Sequence, residues 1–201
     1  ANASHELRTP LTRIRLAVEM LKGDADPKCK AGLEKDIAEL DELVDEILLA
    51  SRLNAIDQPL SSEDIDLLAL AAEECSRYDH VQLEGAPVEV RGDARLLRRL
   101  MRNLLENAKR HGAPPTQVQL QRQGASVILK VWDRGAGPAP AEFEQVFTPF
   151  YRRRDGSHNI GNGLGLSLVR QIARRHGGDA RCTTMEDGRG CFVITLAGAD
   201  V

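Results

Sequence analysis

Apolar residues fall at Leu7, Leu11, Ile14, Val18 and Leu21, in steps of 4, 3, 4 and 3. After "GDADPK" the same steps resume at Leu33, Ile37, Leu40, Val44 and Ile47. A 4-3 repeat keeps one apolar stripe in line along an α-helix, so each run predicts a helix that buries its seam against another helix. The Gly-Asp-Ala-Asp-Pro stretch between them predicts a turn, with Pro27 in the first turn of the second helix, where a missing N–H costs little. A helical hairpin of fewer than about 60 residues is marginal by itself. Two hairpins side by side make a four-helix bundle, so the seam predicts a homodimer through residues 1–56.

The repeat stops before "SRLNAIDQPLSSED", and residues 57–64 are expected to be a linker. From 65 to 201 the pattern mixes periods. "DLLALAAEECSRY" (66–78) is an amphipathic helix; "VQLEG" (81–85) and "VEVRG" (88–92) alternate like two strands around a Gly-Ala-Pro turn. "DARLLRRLMRNLLENAKRHG" (93–112) is a long helix with an Asp cap and a closing Gly. A strand hairpin over 116–135, a helix over 165–178 and strands over 179–185 and 190–198 complete the series. Helices interspersed with hairpins predict an α+β sandwich, with helices on one face of a sheet.

Net charge is −3, and no strong basic bias argues for nucleic acid or an anionic membrane surface as a partner. The longest strongly apolar run, "LLALAA", is far below the ~20 residues of a membrane span. Cysteines 29, 75, 182 and 191 form no CxxC pair and no zinc spacing, so reduced, mostly buried thiols in a cytosolic setting are expected. The chain starts at Ala1 inside a helical pattern, and a longer protein is expected around it.

Three stretches have composition that packing alone does not explain. On the long helix, Asn103, Asn107 and Arg110 line one stripe beside the apolar face of Leu97, Leu100, Met101, Leu104 and Ala108. Asparagine is a mediocre helix former, so two in mid-helix suggest the polar edge of a pocket, although a solvated flank has the same pattern. An amide oxygen suits Mg2+, and an arginine suits phosphate oxygens. In "WDRGAGP", Asp133 ends an apolar strand, and Gly135 and Gly137 allow close approach of a flat ligand. A carboxylate there can accept from an exocyclic amine such as that of adenine; by itself the stretch is equally a plain turn. In "GNGLGLSLV", Gly161, Gly163 and Gly165 run into a helix and offer backbone N–H groups to phosphate. No βαβ unit surrounds them and no Gly-Lys-Ser/Thr follows, which excludes the Rossmann and P-loop readings. The irregular residues before them resemble a lid, with "FTPFYRRR" (147–154) supplying aromatic anchors and cations.

"SHELRTPL" (4–11) opens the first helix. At 100° per residue His5 and Thr9 sit roughly 160° from the seam and about 40° from each other, facing outward together, with Glu6 on the flank. An exposed imidazole near its reference pKa of ~6.5 is largely neutral at pH 7 and nucleophilic. Pro10 cannot donate to the Glu6 carbonyl and should bend the helix. Alone, the pair also reads as an ordinary surface histidine beside an acid.

Taken together and in order, these stretches resemble the sensor histidine kinases of two-component signalling over residues 4 to about 196. "SHELRTPL" is similar to the family's phosphoacceptor motif, "NLLENAKRHG" to its asparagine box, "DRGAGP" and "GNGLGL" to its glycine boxes, and "FTPFYR" to its phenylalanine box. The resemblance implies a dimerisation and phosphotransfer hairpin over 1–56. It also implies an α/β sandwich ATP-binding domain of the gyrase/Hsp90/histidine kinase/MutL type over 65–201. It implies that Asp133 binds the adenine amine and Asn107 ligates Mg2+. Asn103, Arg110, His111, Gly135, Gly137, Phe150, Arg152, Gly161, Gly163, Leu164, Gly165 and Leu166 are implied to line the ATP site. His5 is implied to attack the γ-phosphate with Glu6 as general base, and the phosphoryl group to pass to an aspartate of a separate response regulator. The E-x-x-T pattern of Glu6 and Thr9 implies dephosphorylation of that regulator, with Thr9 positioning water. A cytoplasmic position in a bacterial inner-membrane sensor, anchored by segments outside this sequence, follows from the same resemblance. Ile160 stands where the family's lid has glycine, which implies a stiffer hinge.

Overall fold

The computed structural model describes residues 18, 27–54, 63–152 and 163–199. The chain divides into two compact units, Ala1–Asn54 and Ala55–Val201. In the first, helix α1 spans Pro27–Asn54, opening on its proline as expected. Its seam is unevenly covered: Ile37 is 3% exposed, while Leu40 and Ile47 are 46% and 39% exposed. His5, Glu6, Thr9 and the bend expected at Pro10 lie outside the described residues.

The second unit is a two-layer α/β sandwich. Its order is β1 (Glu63–Asp66), α2 (Leu67–Cys75), β2 (Val81–Gly85), β3 (Glu89–Gly92), α3 (Ala94–His111), β4 (Thr116–Gln123), β5 (Ser126–Trp132), α4 (Gly165–Arg175), β6 (Asp179–Thr184) and β7 (Gly190–Ala197). Single 3-10 turns at Pro140–Glu142 and Gln145–Phe147 lie between β5 and α4. The main sheet has the order β2-β4-β5-β7-β6. β2 runs parallel to β4, and the remaining neighbours are antiparallel.

Two expectations need correcting. β2 and β3 do not pair around the Gly-Ala-Pro turn: β2 joins the main sheet, and β3 pairs antiparallel with β1, Ile65 opposite Val90. β1 itself lies partly in the stretch expected to be linker. Its four residues carry one buried side chain, Ile65, and so give almost no periodic signal.

Period-2 alternation turns Val118, Leu120, Leu129, Val131, Ile194 and Leu196 toward the helices, where they are buried. α3 answers with Leu97, Leu100, Met101, Leu104 and Leu105, and α4 with Leu168, Val169, Ile172 and Ala173. Each of these side chains apart from Ala173 contributes about 1.5–3 kcal/mol by burial. On the opposite face Ile128, Cys191 and Val193 form a smaller cluster against Trp132 and Met185. Cys75, Cys182 and Cys191 are free and buried, as expected; burial pushes Cys75 and Cys191 up to about 11 and Cys182 up to about 12, which keeps them as unreactive thiols.

Charged pairs fix the helices. Glu74 of α2 is 0% exposed, and Arg102 of α3 grips it with two bonds, Nε to Oε2 at 2.7 Å and Nη2 to Oε1 at 3.0 Å. Arg98 adds a third at 3.4 Å. The Arg102 hydrogen bond, opposed by burial, holds the Glu74 carboxyl below its ordinary range. α3 and α4 pack antiparallel and are fastened at both ends. At one end the buried ring of His176, just past α4, accepts from the Asp93 N–H at 3.1 Å, and its Nδ1 lies 2.8 Å from the Ile172 carbonyl. At the other, Asn103 Nδ2 donates to the Gly165 carbonyl at 3.1 Å.

Candidate nucleotide site

The candidate site draws on three chain segments: the C-terminal half of α3, the C-terminus of β5 and the start of α4. β5 is apolar because it runs through the middle of the sheet, and its end delivers Asp133 beside the last turn of α3. Asp133 Oδ1 accepts from the Gly135 N–H at 2.6 Å and the Ala113 N–H at 3.0 Å. The Arg134 N–H donates to the Ala113 carbonyl at 2.9 Å, locking the two segments together. Oδ2 has no hydrogen-bond partner among the described residues and is left to accept from a ligand.

Glycine is required around this carboxylate for space. A Cβ on Gly112 would lie 2.3 Å from Asp133 Cγ, and one on Gly135 would lie 2.8 Å from its Oδ1. Gly112 closes α3 as the sequence suggested; its φ of −97° is open to any residue, and glycine is needed there for the carboxylate beside it. Gly137 does need its conformation, with φ of +62°, and its backbone meets that of Gly190 at the start of β7, where a Cβ would lie 2.9 Å from the Gly190 Cα.

On α3, Asn103 is tied to Gly165, and a Cβ on Gly165 would touch the Asn103 side chain at 3.8 Å. The α3 stripe and the N-terminus of α4 are therefore in contact. α4 starts without a side-chain cap, leaving its first N–H groups to other acceptors; the Ser167 hydroxyl turns back to the Leu164 carbonyl instead. Leu164 is buried and Leu166 half-buried. Asn107 is half-buried and makes no hydrogen bond among the described residues. His111 is exposed at the end of α3.

The contacts fall in two groups: Asn103 meets Gly165, and Asp133 meets Gly112, Ala113 and Gly135. Asn107 and His111 lie on α3 between Asn103 and Gly112, and Gly137 contacts Gly190. Arg110 is exposed and pairs with Glu106 at 3.3 Å. The aromatic stretch divides. Phe147 is buried, edge-on to Phe192 at 6.2 Å and under the Arg170 guanidinium at 5.2 Å. Phe150, expected as a second anchor, is 60% exposed, with a φ of +63°. The Phe150 N–H donates to the Gly163 carbonyl at 3.0 Å; Gly163 has φ +71°, and a Cβ there would meet the Tyr151 carbonyl at 2.8 Å. This contact joins the two ends of the 150–163 stretch. Arg152 is exposed, and Gly161 lies outside the described residues. Sequence reading missed Ala113, because a backbone N–H leaves no trace in residue identity.

This donor set fits an adenine nucleotide. Asp133 offers one unsatisfied carboxylate oxygen at a strand end flanked by glycines, and the α3 stripe with the uncapped α4 start offers polar groups to phosphate. Among the described residues no three His, Cys, Asp or Glu groups gather to hold a metal. A single amide oxygen such as that of Asn107 suits Mg2+, whose remaining ligands are phosphates and water.

Comparison with known proteins agrees. Residues 92–199 match the family model "Histidine kinase-, DNA gyrase B-, and HSP90-like ATPase", and residues 1–56 match "His Kinase A (phospho-acceptor) domain". The chain is 32% identical over 215 residues to the sensor-like histidine kinase SenX3 of Mycobacterium tuberculosis, covering 98% of the chain and 52% of that protein. It is 34% identical over 203 residues to the sensor protein RstB of Escherichia coli, covering 94% and 46%. It spans about half the length of these curated relatives. Among solved structures, full-length ShkA in complex with AMPPNP gives a TM-score of 0.80 at 22% identity, over 99% of this chain and 45% of that one. The Acinetobacter baumannii histidine kinase AdeS gives 0.74 at 22%, over 98% of both chains. With both its family domains and its fold accounted for in this way, the chain belongs to the sensor histidine kinases of two-component systems.

Proposed function

We propose that this chain is the catalytic core of an ATP-dependent protein histidine kinase that phosphorylates His5. The observation that carries the reading is Asp133, whose Oδ1 is held by two peptide N–H groups while Oδ2 stays available for an amine such as that of adenine. Asn103, His111 and the 163–166 turn would flank the nucleotide, together with Gly161. Asn107 would ligate Mg2+, which supplies charge neutralisation between phosphates, and Arg110 and Arg152 would meet phosphate oxygens.

An imidazole nitrogen of His5 attacks the γ-phosphorus of ATP; an N–P bond forms as the bond to the ADP oxygen breaks. Glu6 takes the proton from the other ring nitrogen. An aspartate carboxylate of a response regulator then attacks the phosphorus; an O–P bond forms as the N–P bond breaks, and the proton returns to the imidazole. Catalysis comes from positioning and from charge neutralisation. Thr9 positions water for hydrolysis of the phosphorylated regulator. The exposed Leu40 and Ile47 favour a homodimer through 1–56. An inner-membrane sensor would carry this core on its cytoplasmic side.

Incubation with labelled ATP and Mg2+ is expected to give an acid-labile, alkali-stable phosphoprotein, abolished by His5→Gln and by Asp133→Asn. Label persisting in His5→Gln overturns the assignment. A non-catalytic nucleotide-binding scaffold would bind ATP and lose it on Asp133→Asn, with no label on His5.

A further inference from the structure

Arg110 stands between two demands. Taking Asn103 as zero and 100° per residue, Asn107 lies at roughly +40°, Arg110 at roughly −20° and Glu106 at roughly −60° around α3. Arg110 therefore borders the asparagine stripe on one side and Glu106 on the other. It is with Glu106 that it pairs, Nε to Oε2 at 3.3 Å. Glu106 is itself held from across the α2–α3 boundary: the Tyr78 hydroxyl donates to Oε1 at 3.0 Å. Tyr78 sits in the turn after α2, fixed by its own N–H to the Cys75 carbonyl at 3.1 Å, with Lys109 Nζ 5.8 Å from its ring centroid. Burial, and then the Glu106 hydrogen bond, push the Tyr78 phenol up to about 12, so it remains a donor at any working pH.

We infer that Glu106, oriented by Tyr78, competes with the nucleotide phosphates for Arg110 and so sets how tightly the site holds ATP. This rests on the nucleotide-site reading above. The ion pair is 43% and 37% exposed at its two side chains, so solvent weakens it and a phosphate can displace it. The displacement still subtracts from binding. Glu106 is thus a positioning residue that acts through Arg110.

The test measures Mg2+·ATP and adenosine affinity of the 201-residue chain by calorimetry. Glu106→Gln keeps an oxygen for the Tyr78 hydroxyl and removes the charge. It is expected to tighten ATP about two- to fivefold at low salt, the range an exposed pair can supply. The gain should shrink as salt is raised. Adenosine, which has no phosphate, should bind unchanged, a contrast that a general effect on folding would not produce. Arg110→Ala should weaken ATP, and adding Glu106→Gln to it should change nothing further. Unchanged or weaker ATP binding in Glu106→Gln overturns the inference. So does a gain that survives in Arg110→Ala or appears equally with adenosine. A Tyr78→Phe variant with wild-type ATP affinity overturns the part assigned to Tyr78. If Arg110→Ala leaves ATP binding intact while Asp133→Asn abolishes it, the inference fails and the nucleotide site stands. If Asp133→Asn binds normally, the site reading itself fails.

Discussion

His176 predicts how the ATP-binding unit responds to acid. The side chain is 4% exposed, with both ring nitrogens engaged, one by the Ile172 carbonyl and one by the Asp93 N–H. That second bond requires an unprotonated Nε2. Burial holds the imidazole below its ordinary 6.5, aided by Arg175 and opposed by the Ile172 bond and Asp93. The unfolded chain takes up a proton near pH 6.5, and the folded chain does so only at lower pH. Between those points the unfolded state binds more protons, so stability falls as pH drops, with a limiting slope of about 1.4 kcal/mol per pH unit. From pH 6.5 to 5 the ceiling is roughly 2 kcal/mol. His176→Gln retains an acceptor but does not titrate; it also loses the donor to Ile172 and the ring packed on Gly92, a cost of about 1–2 kcal/mol at pH 8. Trp132 is the chain's one tryptophan and lies on β5, so urea unfolding followed by its fluorescence reports this unit. The wild type should lead at pH 8, and the gap should narrow steadily below pH 6.5. A gap that stays constant from pH 8 to 5 would falsify the assignment of a neutral, load-sharing imidazole.

Gly112→Ala places a Cβ against Asp133 and 2.5 Å from the Ala108 carbonyl; displacing the carboxylate should weaken ATP binding about 100-fold in calorimetry, with the fold retained by circular dichroism. Glu74→Ala leaves the half-exposed Arg102 without its partner and empties a buried position, and urea denaturation at pH 7 should show a loss of about 1–3 kcal/mol. Because the Glu74 carboxyl is held below 4.5, its contribution is full above that value and fades as pH falls through the depressed one. Leu40→Glu with Ile47→Glu puts charge on the exposed half of the seam; sedimentation should show monomers, and a dimer surviving both changes contradicts the seam as an interface.

Long helices were legible in the sequence because their periodicity extends over many residues. α3 begins after Asp93, whose Oδ1 caps the Arg95 and Leu96 N–H groups as the cap residue predicted, and α1 begins at Pro27. Pairing was less legible. "VQLEG" and "VEVRG" look like one hairpin locally, but β2 lies parallel to β4, with Leu83 opposite Val118, and β3 pairs with β1. Nothing within ten residues records that choice. At the site, Asn103 and Asp133 stood out in the sequence because an asparagine in mid-helix and a carboxylate closing an apolar strand are unusual. Phe150 was misjudged as an anchor because hydrophobicity says nothing of direction, and its neighbour Phe147 already occupies the place against Phe192.

The fastening of Asp133 has a consequence for how this site can change. Its holders are the peptide groups of residues 113 and 135; glycine at 135 leaves room for the carboxylate, and at 113 the peptide donor does not depend on which side chain it bears. Alanine scanning cannot delete these donors, and drift at position 113 need not disturb them. Its orientation is set when the sheet and α3 fold, so ordering it costs nothing at the moment of binding. Proline at 113 is the change that reaches the donor itself, which makes it the sharpest way to loosen the carboxylate without altering a single atom of it.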